Sequence, residues 1–107
     1  MAVVIVETRA FTARIDDLLS GDDYRALEAH LVRNPASGDV IPGSGGLRKI
    51  RWGSKGRGKR GGCRVIYFWH PVSGRLLMLF AFSKSERADL DAAQKKLLRR
   101  VVETEYR

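Results

Sequence analysis

The chain has 107 residues, 44% of them hydrophobic, and a formal net charge of +8. A chain of that length encloses a single hydrophobic core, so one domain spanning 1–107 is expected and a multidomain architecture is excluded. The charge predicts attraction to a polyanion, and no apolar stretch approaches the ~20 residues of a membrane-spanning helix.

The distribution of charge says more than its total. Residues 1–46 hold four Lys/Arg against seven Asp/Glu, residues 47–84 hold ten Lys/Arg and no acid, and residues 85–107 hold six against five. A surplus that serves solubility is scattered with both signs mixed, so a segregated block points to an anion site. Cys63 is the only cysteine, which rules out an intramolecular disulfide, and the short apolar run at the start has no basic leader and is broken by Glu7. The expectation is a cytoplasmic protein without signal peptide or membrane contact.

In chain order, the β-branched residues 3–6 read as a strand, and Thr8 or Thr12 can start a first helix running to about Leu19. In SGDDYRALEAHLVRNP, Ser20 caps, Asp22 and Asp23 favour the positive end of the dipole and Pro35 stops the helix. Tyr24, Leu27 and Leu31, with His30 beside them, give that helix one buried face. Residues 36–46 are rich in turn formers and read as a loop. LRKIRW (47–52) alternates Leu47, Lys49 and Arg51 against Arg48, Ile50 and Trp52, a strand with one charged face.

A basic glycine loop, GSKGRGKRGG (53–62), precedes the strand CRVIYFWH (63–70), a turn centred on Ser73-Gly74, and the strand RLLMLFAFS (75–83). Ser83 and Glu86 have capping-box spacing for a third helix, with Asp89 and Asp91 early, Lys95, Lys96, Arg99 and Arg100 late, and Leu90, Ala93, Leu97 and Val101 as its apolar stripe. The order β-α-α-β-β-β-α predicts an α+β fold on an antiparallel sheet with two N-terminal helices and a C-terminal one.

Gly56-Arg57-Gly58-Lys59-Arg60-Gly61 fits the dinucleotide pattern G-x-G-x-x-G, but that motif follows a strand and opens a helix, and this one precedes a strand. A Walker loop fails because Arg60 stands where Ser or Thr is needed. Two readings of the loop remain: a backbone that approaches phosphates closely with cations reaching past it, or a solvated hairpin tip. His30, His70 and Cys63 are too few and too scattered for a zinc set, so no metal or other cofactor is expected. Ser83 and Ser85 have no His or Asp partner by spacing. His70, before Pro71, reads as a turn residue and Cys63 as a small buried one.

A metal-free cationic cleft remains. Alternation places Arg64 on the face of Ile66 and Phe68, and the hairpin brings it against residues 81–84, so Arg64, Lys84 and the loop cations can converge. RNA carries its own nucleophile, the 2′-hydroxyl; cleavage needs in-line alignment, charge stabilisation of the phosphorane and two proton transfers. Arginine clamps phosphate, and a lysine in a positive cluster can carry protons.

The run GDVIPGSGGLRKIRWGSKGRGKRGGCRVIYFW, followed by FSKSERADLDAAQKKLL, resembles the HigB branch of the RelE-like toxins of bacterial toxin–antitoxin systems, from Glu7 and Phe11 to the last helix. The resemblance implies a microbial-ribonuclease-like fold and ribosome-dependent, metal-independent cleavage of mRNA in the A site. It also implies restraint by a HigA-type helix-turn-helix antitoxin, with operator DNA bound only through that partner. Carried over by position, it implies catalytic roles for Arg64, Lys84, Lys55 and Arg57, and contact with RNA or ribosome for Lys49, Arg51, Lys59, Arg60 and Phe82. Phe82 stands where related members often have tyrosine; it can stack on a base but not move a proton, which leaves proton transfer to lysine, His70 or the ribosome. The competing expectations are a noncatalytic RNA- or ribosome-binding module and a toxin of the same superfamily that poisons a topoisomerase.

Overall fold

A computed structural model describes residues 2–53 and 62–106 of the chain. The elements are β1 (Val4–Glu7), α1 (Arg9–Leu18), α2 (Gly21–Arg33), β2 (Asp39–Val40), β3 (Arg48–Trp52), β4 (Cys63–His70), β5 (Arg75–Ser83) and α3 (Ala92–Tyr106). They build one five-stranded sheet in the order β1-β5-β4-β3-β2.

Local chemistry accounts for the first half. Thr8 caps α1, its side chain accepting from the Phe11 amide at 3.2 Å, and Ser20 caps α2 by accepting from the Asp23 amide at 3.1 Å. Each satisfies an amide that has no partner within its helix. Phe11, Ile15, Leu19, Leu27 and Leu31 from the two helices pack on one sheet face against Cys63, Val65, Tyr67, Leu76, Met78 and Ala81. The opposite face carries a second core in which Leu90, Leu98 and Val102 cover Leu47, Ile66, Leu77, Leu79 and Phe82. Sequential residues of β4 therefore serve two cores, which is why the strand reads as a nearly continuous apolar run.

Three features depart from the sequence expectation. The sheet is mixed: β1 runs parallel to β5, pairing Val4 with Arg75 through Glu7 with Met78. Beyond that short ladder, α1 covers the exposed edge of β5, the Thr8 hydroxyl donating to Leu79 O at 2.9 Å and Arg14 Nε to Ala81 O at 2.7 Å. Asp39 and Val40, expected as loop, pair with Lys49 and Arg48 as a two-residue edge strand.

The third departure is the start of α3. Ser83 and Glu86 do interact, Glu86 accepting from the Ser83 amide at 3.0 Å, but they close a turn. The helix begins at Ala92, where Asp91 and Gln94 cap each other's amides at 2.8 and 3.1 Å. Lys95 and Lys96 consequently sit near its beginning, so the expected match to the helix dipole is not realised.

Tyr67 holds the turn-rich segment to the sheet. Its buried hydroxyl accepts from the Gly38 amide and donates to Pro35 O, both at 2.8 Å. A Cβ on Gly38 would meet that ring at 2.8 Å, so only glycine fits there. Tyr67→Phe leaves the Gly38 N–H without an acceptor and is expected to cost about 1–3 kcal/mol. The check is a lower urea midpoint with an unchanged slope.

Candidate nucleic-acid interface

Leu47, Lys49 and Arg51 share the β3 face that lies opposite α1 and α2, as do Arg64, Ile66 and Phe68 on β4. In the antiparallel β3–β4 ladder Arg51 stands directly across from Arg64, and in the β4–β5 ladder Arg64 stands across from Phe82. Two like charges in a cross-strand pair are destabilising. Arg64 is 8% exposed, while Arg51 is exposed. Neither forms an ion pair among the described residues.

A β-bulge helps set this face. Ile66 pairs with Phe80 and Tyr67 with Met78, leaving Leu79 as the extra residue on β5. The extra residue puts Leu79 and Phe80 on the same side as Phe82, while Met78 and Ala81 face the helices. Gly62 joins the other two residues expected to meet. Its carbonyl accepts from Arg64 Nη1 at 3.0 Å and from the Lys84 amide at 3.3 Å, so Lys84, itself exposed, leaves the end of β5 beside the Arg64 guanidinium.

Lys49 reaches Asp89, Nζ to Oδ2 at 2.9 Å, on the segment that crosses from β5 to α3. Lys55, Arg57, Lys59 and Arg60 lie outside the described residues. Cavities of about 150 to 300 Å³ lie along α3, and Arg51, Arg64 and Lys84 line none of these.

One expectation is corrected, and His70, read from the sequence as a turn residue, has that role. Phe82 is completely enclosed, with Arg87 laid over its ring, so it supports the face from beneath and presents no surface for stacking a base. His70 is at the opposite end of β4 from Arg64, six residues away and thus roughly 20 Å along the strand. It stacks on Tyr106 at 4.2 Å, and its Nδ1 lies 2.7 Å from Ser73 Oγ, a turn role that takes it away from Arg64. Trp52 is likewise on the helix-covered side, its Nε1 donating to Asp23 O at 3.0 Å and its ring against His30.

Arg14 and Arg87 were not singled out by sequence reasoning, and Asp89 was read only as an early acid of the third helix. Arg14 pairs with Glu86, and both Arg14 and Arg87 lie over Phe80, at 5.4 and 5.8 Å from the ring centroid. The signal that would have found Arg87 and the placement of Asp89 was the Asp91/Gln94 spacing, a second capping box that frees residues 84–90 to fold across the sheet.

Burial pushes the Cys63 thiol up to about 11 against the lowering influence of Arg64 and Arg14, so at neutral pH it is a protonated core side chain and no nucleophile. The Ser83 amide, then Arg14, hold the Glu86 carboxyl below its usual range, and Lys49 does the same for Asp89. Both folded values lie below the unfolded ones near 4. The stability they confer is therefore present above that pH and lost as pH falls through the folded values. Glu86→Gln with Asp89→Asn is expected to flatten the fall in melting temperature below about pH 4, read from thermal unfolding across a pH series.

Among the described residues no group of three His, Cys, Asp or Glu could hold a metal ion, and no helix is long and apolar enough to cross a membrane. No family model matches the chain. Its structure is similar to that of a variant of the Escherichia coli toxin RelE, with two arginines replaced by alanine, in the free state. The TM-score is 0.59 at 12% sequence identity, over 82% of this chain and 90% of that one. At that identity the likeness establishes the architecture, and the chain has the RelE-like α+β fold.

Proposed function

We propose that this protein is the toxin of a bacterial toxin–antitoxin pair, of the HigB type, and that it cuts mRNA on the ribosome without a metal ion. The observation that carries the reading is the Arg51–Arg64 pair: two arginines directly opposite in the register of adjacent strands, one of them nearly buried, on a RelE-like fold. A repulsive pair kept where packing would favour a neutral residue marks a site for an anion, and the resemblance of the surrounding sequence to HigB toxins supports RNA as that anion.

In this reading Arg64 holds the scissile phosphate and neutralises the charge that builds on its oxygens. The 2′-oxygen of the substrate forms the new bond to phosphorus as the bond to the 5′-oxygen breaks. One proton leaves the 2′-hydroxyl and one reaches the 5′-oxygen, and we assign delivery of the second to Lys84, whose amide shares the Gly62 carbonyl with Arg64. The products are a 2′,3′-cyclic phosphate and a 5′-hydroxyl. Lys49 and Arg51 contact the RNA, and the sequence resemblance assigns catalytic roles to Lys55 and Arg57 and contact with RNA or ribosome to Lys59 and Arg60. The protein acts in the cytoplasm and is restrained by a helix-turn-helix antitoxin of the HigA type, which alone contacts operator DNA.

The burial of Phe82 and the distance of His70 favour, as a second reading, a noncatalytic module that binds RNA through the same face. Mapping new RNA 5′ ends in a translating extract decides between them. Ends in register with the codon frame are expected; salt-sensitive RNA binding with no new ends would leave the binding module standing.

A further inference from the structure

Arg87, on the segment between β5 and α3, lies over two aromatic rings, its Cζ 5.8 Å from the centroid of Phe80 and 5.9 Å from that of Phe82. Phe82 is the cross-strand neighbour of Arg64, so Arg87 lies over the residue beside Arg64, on the same face of the sheet. Its Nε is closed off from solvent and meets no acceptor among the described residues. The carboxylates nearest in sequence are engaged elsewhere: Glu86 by Arg14 and the Ser83 amide, Asp89 by Lys49 and the Leu90 amide. A desolvated donor without an acceptor is unfavourable, and a guanidinium positioned by aromatic faces loses little freedom when a phosphate meets its planar fork.

We propose that Arg87 is an RNA-binding residue of this face. It holds a backbone phosphate next to the one at Arg64, with Phe80 and Phe82 as the platform that fixes its guanidinium. This rests on reading the face as an RNA interface.

The test is binding of the full chain to a 2′-O-methyl single-stranded RNA, which cannot be cut, by fluorescence anisotropy over a series of salt concentrations. Arg87→Met keeps the aliphatic cover over the rings and removes the charge; Arg87→Lys keeps the charge and removes the fork. Arg87→Met is expected to flatten the dependence of log affinity on log salt by about 0.7, the contribution of one phosphate contact on a single strand. Arg87→Lys is expected to keep the slope and bind several-fold more weakly. If Arg87→Met does not fold, the Arg87→Lys affinity decides.

Wild-type slope and affinity in the variants would overturn the role of Arg87, and the cleavage reading would survive if the wild type still cuts message. The expected losses in a protein that cuts no message would retain Arg87 and overturn cleavage. Absence of salt-dependent binding by the wild type would overturn the role of Arg87, and the mapped RNA ends in a translating extract would still decide cleavage.

Discussion

Arg64→Met is expected to reduce mRNA cleavage by roughly 10²–10³-fold, the loss typical of removing one preorganised donor from a developing oxyanion. The same variant is expected to stay within about 1 kcal/mol of the wild type, because removal of the repulsion with Arg51 across the β3–β4 ladder offsets the lost bond from Arg64 Nη1 to Gly62 O. Methionine matches the arginine stem in the 8%-exposed position, so no cavity adds to the cost. A large loss of cleavage with little change in stability separates a functional arginine from a structural one. Cleavage is measured in a reconstituted translation system and stability by urea unfolding. A variant that loses both together would make Arg64 a fold residue.

Phe82→Ala has the largest expected effect on stability, about 3–5 kcal/mol, the usual cost of emptying an aromatic site in a packed core. Phe82 has no exposed surface and packs with Ile66, Leu79 and Leu90 beneath Arg87. Had it been a stacking surface for a base, the substitution would leave the urea midpoint almost unchanged and weaken RNA binding. The placement of Phe82 predicts the reverse for Phe82→Leu, which keeps most of the apolar volume: a modest loss of stability, and a loss of RNA affinity no larger than that of Arg87→Met, because the ring acts on RNA only through Arg87.

The parts of the fold that depend on local chemistry could be read from the residues. Ser20 caps α2 and Thr8 caps α1 because their hydroxyls satisfy amides within three residues, a relation visible in the sequence. The limits of β4 and β5 followed from runs of β-branched and aromatic residues bounded by turn formers. Alternation along β3 placed Lys49 and Arg51 on one face, and the hairpin placed Arg64 against residues 81–84.

What escaped depends on contacts distant in sequence. The parallel pairing of β1 with β5 joins residues about seventy positions apart and leaves no local trace. The bulge at Leu79 cannot be seen in RLLMLFAFS, where every residue is apolar enough for either face. At the start of α3 two capping boxes compete, Ser83/Glu86 and Asp91/Gln94, and tertiary packing selects the second. That choice carries residues 84–91 across the sheet, buries Phe82 and puts Arg87 over it, so the misplaced helix start and the misread Phe82 are one error with one cause.

The chemistry of the newly made RNA ends tests the central claim most directly. Attack by the substrate's own 2′-hydroxyl, with Arg64 stabilising the phosphorane, predicts a 5′-hydroxyl on one fragment and a 2′,3′-cyclic phosphate on the other. A 5′-phosphate with a 3′-hydroxyl would mean that water is the nucleophile, and would contradict the account.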